Sequence, residues 1–90
     1  MMFLSSNALR LLRLLRRWSV GSIGKFAEEM QLDPESVLKA AYILEQNGYI
    51  LTVDIADDCP YPNKMLEINA LGLSFLEGFD GRVDSTQDKT

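Results

Sequence analysis

"DPESVLKAAYILEQNGYI", residues 33–50, decides the fold. Pro34 directly after Asp33 is a strong helix start: a proline in the first helical position forfeits no hydrogen bond, and an aspartate before it is a good cap. Asn47-Gly48 supplies the stop, since both residues tolerate the left-handed conformation that closes a helix. Just upstream, "SVGSIGKFAEEM" (19–30) reads as a shorter helix over 23–30. Gly21 breaks whatever precedes it and Ser22 caps the start. Ile23, Phe26, Ala27 and Met30 then recur at i, i+3, i+4 and i+7, one apolar stripe. "QLD" (31–33) is too short for anything but a tight turn. Two helices joined by such a turn make a helix-turn-helix.

Downstream, "YILTVDI" (49–55) alternates, with Leu51, Val53 and Ile55 on one face and Thr52 and Asp54 on the other, the period of a strand. "ADDCPYPN" (56–63) is a turn-rich loop, and "KMLEI" (64–68) is the returning strand with Leu66 and Ile68 facing inward. Asn69 caps a last helix that runs through about Phe79. "DGRVDSTQDKT" (80–90) has Val83 as its one aliphatic residue and reads as a disordered polar tail. At the other end, "SSNALRLLRLLRRW" (5–18) places Ala8, Leu11, Leu12, Leu14, Leu15 and Trp18 on one arc of a helix. Arg10, Arg13 and Arg17 lie opposite, with Arg16 at the edge, and Ser6 or Asn7 can cap the start. Acid-free and arginine-rich, this helix also has the chemistry of a mitochondrial presequence or of a helix lying flat on an anionic membrane. The first helix of the domain is the stronger reading, because the other segments are too few to enclose a core without it. The expected architecture is α+β and mainly helical: a three-helix core, a two-stranded hairpin and a C-terminal helix, forming one domain over 6–79.

"FAEEMQLDPESVLKAAYILEQNGYI" resembles the winged helix-turn-helix superfamily, in particular MarR- and PadR-type regulators and small YjcQ-like phage-associated proteins. The resemblance spans roughly residues 8–79. It rests on Phe26 and Ala27, Leu32 in the turn, Val37 and Leu44, and Gly48-Tyr49-Ile50 leading into the wing. "EINALGLSFL" is similar to the family's last wing strand and final helix, with Asn69 where a threonine cap is common. Gln31 departs from the pattern, standing where many relatives have glycine. The motif speaks for fold more than for function, since winged helices serve both as DNA readers and as protein-contact modules.

Charge is segregated along the chain. Residues 1–25 hold five basic residues and no acid, +5, whereas 26–90 hold four basic and thirteen acidic residues, −9, so the whole chain carries −4. A basic end can contact nucleic acid or an acidic partner, but an acidic whole is unlike the usual DNA-binding domain. One cysteine, Cys59, and no histidine leave no intramolecular disulfide, no Cys/His zinc site and no Ser-His or Cys-His nucleophile pair. A reducing cytoplasm suits this composition. No glycine-rich phosphate loop is present, and Asp57-Asp58-Cys59 lacks the further ligands an ion needs. No enzyme activity, metal or cofactor is expected, and no apolar run is long enough to span a bilayer.

The resemblance implies that positions 38, 39, 42 and 43 point outward on the reading helix, where relatives commonly carry serine at 38 and arginine at 39, 42 and 43. Here they are Leu38, Lys39, Tyr42 and Ile43. Phosphates need cations and base edges need donors and acceptors. The DNA candidates are therefore Ser36, Lys39, Tyr42, Asn63 and Lys64, with Arg10, Arg13 and Arg17 of the first helix. Asp33 and Glu35 at the amino end of the reading helix, and Asp54, Asp57 and Asp58 in the wing, oppose phosphate. Leu38, Tyr42 and Ile43 suit a protein partner better. Leu71, Leu73, Leu76 and Phe79 point around too much of the final helix for one domain face to cover: either they mark an interface and a homodimer, or Met1 to Leu4 ahead of the first helix fold back over part of them. Two functions follow: a small dimeric transcription regulator that binds DNA weakly, or a protein-contact module using the same helix-turn-helix face.

Overall fold

The structure is a computed structural model describing residues 4–56 and 58–88, with side chains described through residue 79. In chain order the elements are α1 (Ser6–Trp18), β1 (Val20–Ser22), α2 (Ile23–Met30), α3 (Pro34–Gln46), β2 (Ile50–Asp54), β3 (Lys64–Ile68) and α4 (Ala70–Asp88).

Local chemistry sets most of these boundaries. Ser5, one residue earlier than expected, caps α1, its Oγ accepting from the Ala8 N–H at 3.2 Å. Ser22 caps α2 in the same way, accepting from Lys25 N–H at 3.2 Å. The Asn69 side chain accepts from Gly72 N–H at 2.9 Å to start α4, and its amide donates to Gly48 O at 2.8 Å, tying that start to the end of α3. Gly48 sits at φ 78°, which lets Tyr49 N–H reach back to Leu44 O at 3.0 Å and close α3. Gln31 takes the turn position favoured for glycine at φ 57° and ψ 45°, a conformation that costs a residue with a Cβ about 1–2 kcal/mol. The turn is held all the same, because Leu32 N–H bonds to Ala27 O at 3.0 Å.

The sheet has three antiparallel strands in the order β1-β3-β2, one more than the expected hairpin. β1 pairs Val20 with Glu67, Gly21 with Leu66 and Ser22 with Met65. Three residues are too few to show a strand period, so β1 exists only as an addition to the edge of β3. Ser19, at φ 71°, turns the chain out of α1, and its carbonyl accepts from Ile68 N–H at 3.2 Å.

The core is built from α1, α2 and α3 against one sheet face. Leu11, Leu12 and Leu15 of α1, Phe26 of α2, Val37 and Leu44 of α3 and Leu66 of β3 are fully buried. Each such side chain contributes about 1.5–3 kcal/mol by leaving water. Trp18 stacks on Phe26 with ring centroids 5.1 Å apart, which anchors the end of α1 over α2. The register then settles the faces of β2. Ile50 pairs with Ile68 and Thr52 with Leu66, so Ile50 and Thr52 share the inner face, and Leu51 and Val53 stand outside, 58% and 65% exposed.

Two expectations for the last helix change. Leu76 is fully buried within the subunit and belongs to the core, not to an interface. The backbone of α4 continues to Asp88 where a disordered tail was expected from residue 80; no proline follows Pro62 to remove a hydrogen bond from the ladder, and Gly78 and Gly81 weaken the helix without breaking it. Residues 89–90 of that tail, and residues 1–3 ahead of α1, lie outside the described residues.

Candidate functional site

A groove of about 400 Å³ lies between α3 and the hairpin, lined by Leu38, Ala41, Tyr42, Glu45, Thr52, Pro62 and Lys64. Helical spacing places Leu38, Ala41, Tyr42 and Glu45 on one side, at i, i+3, i+4 and i+7, and the hairpin supplies the other. Thr52 Oγ1 donates to Glu45 Oε2 at 2.9 Å and clasps the two sides together. Leu38, Tyr42 and Lys64, candidates chosen separately from the sequence, thus meet in one place. Glu45, Thr52 and Pro62 were missed. Thr52 could be found only once the register had put it on the inner face of β2.

The outward positions of α3 divide unevenly. Lys39 is exposed and Tyr42 is 61% exposed, as the resemblance implied. Leu38 and Ile43 are instead half-buried and pack against the core, because α3 is turned so that its apolar shoulder meets the domain. Ser36, at the helix start, donates its hydroxyl to Asp33 Oδ1 at 2.7 Å. That hydrogen bond holds the Asp33 carboxyl below the usual aspartate range. The amino end of α3 therefore carries a persistent carboxylate with Glu35 beside it, where phosphate would otherwise meet the positive end of the helix dipole.

Cations are few, and some are engaged. Lys64 Nζ lies 2.6 Å from Asp54 Oδ1, an ion pair whose side chains are 31% and 85% exposed. An exposed pair of this kind is worth about 0–1 kcal/mol, so a phosphate could take Lys64 from Asp54 at small cost but would then face the freed carboxylate. Asn63 directs its amide N–H to Cys59 Sγ at 3.6 Å, inside its own loop. Asp57 lies outside the described residues. From Asp33 to Ile68 the sequence holds Asp33, Glu35, Glu45, Asp54, Asp57, Asp58 and Glu67 against Lys39 and Lys64, a net −5.

The arginines of α1 form a separate group. Arg10, Arg13 and Arg17 line a cleft of about 280 Å³ with Leu14, Glu29 and Met30, and this cleft shares no lining residue with the α3–hairpin groove. Arg10 donates to Met30 O at 3.3 Å, at the carboxyl end of α2. The Arg13 guanidinium sits 5.6 Å from the centre of the Phe79 ring. Phe79 stacks on Phe75 and Phe75 on Tyr49, with centroids 5.9 Å and 4.8 Å apart, so Phe79 is partly engaged within the subunit. Leu71 and Leu73, by contrast, stay 56% and 38% exposed on α4.

Three solved structures share this arrangement. A transcriptional regulator homologue from Pyrococcus horikoshii OT3 superposes with a TM-score of 0.78 at 20% identity, over 91% of this chain and 80% of that one. The fold is a winged helix. YusO from Bacillus subtilis gives a TM-score of 0.75 at 23% identity over 96% of this chain, and NadR, solved with 4-hydroxyphenylacetate, gives 0.70 at 20% over 94%. The winged-helix chain spans 60% of the YusO structure and 59% of the NadR structure. No family model and no curated protein matches the sequence. Among the described residues, no helix is long and apolar enough to cross a membrane.

Proposed function

We propose that this winged-helix chain is a small cytoplasmic regulator of the transcription-regulator type that binds duplex DNA weakly or only as a dimer. The observation that carries the reading is the exposed Tyr42 of α3 meeting Lys64 of the adjacent wing in one groove, with exposed Lys39 and half-buried Ser36 on the same helix, in a fold shared with a transcriptional regulator homologue. The proposed role is binding and not catalysis, in keeping with the transcriptional regulator homologue that shares the fold. Lys39 and Lys64 meet phosphate, Ser36 and Tyr42 supply hydrogen bonds, and the α1 arginines add a second, separate cationic group. Leu71 and Leu73 on α4 are the exposed apolar side chains through which two subunits would associate.

Each phosphate neutralised contributes about 0.9 to the slope of log affinity against log salt, so a subunit with few free cations gives a shallow slope. The test is fluorescence anisotropy with a labelled duplex over a salt series. Lys39→Ala with Arg17→Ala should nearly abolish binding, whereas Asp54→Asn, which frees Lys64, should strengthen it and steepen the slope by about one phosphate. Absence of binding at low salt, even by the Asp54→Asn protein, refutes the DNA reading.

A second reading is supported by the groove itself. Its floor is Leu38, Ala41 and Pro62, and Tyr42 stands open at its edge. A DNA groove offers little apolar surface beyond thymine methyls, while a protein helix or extended segment offers plenty. A protein partner with a basic rim would meet Glu45, Asp54 and Glu35 favourably where phosphate does not. Loss of partner binding in Tyr42→Ala, with DNA binding absent at low salt, selects this reading.

A further inference from the structure

β1 is an edge of the sheet, and a cleft that neither reading above uses runs along it. Ser19 C=O accepts from Ile68 N–H and Gly21 pairs with Leu66, so residues 19 and 21 turn their main-chain groups towards β3. Val20 and Ser22 alternate with them, and in an antiparallel ladder their N–H and C=O groups point the other way. Ser22 C=O, at the cap position, begins the hydrogen-bond ladder of α2. That leaves Val20 N–H, Val20 C=O and Ser22 N–H on the open edge, and no backbone group among the described residues bonds to them there. The cleft, about 470 Å³, is lined by Val20, Gly21 and Ser22 with Trp18, Lys25 and Met65. Val20 is 46% exposed. Lys25, also exposed, stands in the first turn of α2, its N–H held by Ser22 Oγ at 3.2 Å. That turn contains no acid, so the positive end of the helix dipole and the ammonium act together. The cleft shares no lining residue with the α3–wing groove or with the arginine cleft of α1.

We propose that the β1 edge docks an extended segment of another protein, added as a fourth strand and carrying an acidic residue towards Lys25. The open main-chain groups select an extended guest. A helix uses its own N–H and C=O groups internally, whereas a strand offers them at the spacing an edge requires. In antiparallel pairing a guest residue opposite Val20 exchanges both bonds with it, and the residue two positions earlier accepts from Ser22 N–H. Cross-strand partners share a face, and Val20 and Ser22 lie on the outer face with Glu67 and Met65, their partners on β3. The guest residue beside Val20 is therefore apolar: it enters a cleft walled by Trp18 and Met65, and Glu67 in the same row disfavours an acid there. The residue beside Ser22 is the acid, because the cap joins Ser22 to Lys25 and Met65 in that row carries no charge. Acid, any residue, apolar residue is the motif that fits. Three main-chain groups make a short ladder, so the complex is weak and reversible. It uses neither the α3–wing groove nor α4, and stands whether or not the chain binds DNA.

Trp18 is the one tryptophan of the chain, so its fluorescence reports on this cleft. The probes are peptides acetyl-Thr-Thr-Glu-Thr-X-Thr-Thr-amide, with valine, leucine or phenylalanine at X, titrated into the full chain. Trp18 emission should change saturably with at least one of them. The Val20 and Ser22 amide signals should shift in NMR spectra of the same complex, while those of Leu38 and Tyr42 stay in place. N-methylation at X removes the N–H that donates to Val20 C=O and should weaken binding about tenfold or more. Lys25→Glu should weaken it about tenfold, and a peptide with lysine in place of its glutamate should regain that loss, which also shows that the variant is folded. Absence of a saturable change with all of these peptides at millimolar concentration overturns the proposal. So does binding that ignores both N-methylation and the charge swap, since the guest then lies elsewhere. A Trp18 signal that changes with protein concentration alone, and is lost in Lys25→Glu, assigns the cleft to a second copy and overturns it as well.

Discussion

Leu76→Ala separates a final helix that packs on its own subunit from one that packs on a partner. Leu76 is fully buried in the isolated chain, one turn beyond Gly72, which lies against the Tyr49 carbonyl. Truncating a leucine in such a site removes its transfer free energy and leaves a cavity that the surroundings only partly fill, together about 2.7–5 kcal/mol. A chain of 90 residues has a total stability on the order of 5–13 kcal/mol. The substitution therefore removes a large fraction of it and lowers Tm by roughly 4–8 °C for each kcal/mol lost. Leu73, 38% exposed on the same helix, loses little by the same truncation, about 1 kcal/mol or less. Urea unfolding followed by far-ultraviolet circular dichroism, at a low and a high protein concentration, measures both. The loss for Leu76→Ala should be the same at each concentration, since no partner is involved. A loss below about 1 kcal/mol, or one that grows on dilution, would refute the placement of Leu76 in the subunit core.

Gly72→Ala should destabilise the fold by about 1–3 kcal/mol in the same assay, because the new Cβ meets backbone at Tyr49 O and also the Ile68 side chain, 3.0 Å from Cγ1, and α4 must shift to admit it. Tyr42→Ala should leave thermal stability within about 0.5 kcal/mol of wild type, since Tyr42 is 61% exposed, while weakening whatever binds the α3–wing groove; a large drop in Tm would show that Tyr42 is packed within the subunit. Ser36→Ala should raise the Asp33 pKa towards its ordinary value by removing the hydroxyl donor, as read by an NMR titration of the carboxyl. A carboxylate with a depressed pKa contributes stability that is present above the ordinary aspartate value and lost as pH falls through the folded value, so the wild type should exceed Ser36→Ala in stability at neutral pH and converge with it in strong acid.

Sequence alone determined what depends on neighbouring residues. Ser22 and Asn69 cap backbone N–H groups three residues on, Pro34 fixes the first turn of α3 although the Asp33 side chain bonds the Ser36 hydroxyl and no backbone N–H, and Gly48 closes that helix, so α2, α3 and the start of α4 were legible at their observed boundaries. The apolar stripes of α1 and α2 were legible because a helix repeats its own face whatever it packs against. Tertiary structure decided the rest. The alternation of Leu51, Thr52 and Val53 showed a strand, but which face turns inward depends on pairing with Leu66 and Ile68, far along the chain. β1 has no period of its own and exists only where β3 offers it an edge. Leu71, Leu73 and Leu76 look alike in sequence; only the packing of α4 against the body of the domain buries Leu76 and leaves the others open. The same holds for the cations. Lys64, Arg10 and Arg13 are equivalent charges in sequence, and each is distinguished by what the fold sets beside it: Asp54, the carbonyl of Met30, and the ring of Phe79. Long-range contacts assign these partners, and a one-dimensional pattern carries no distance between residues far apart in the chain.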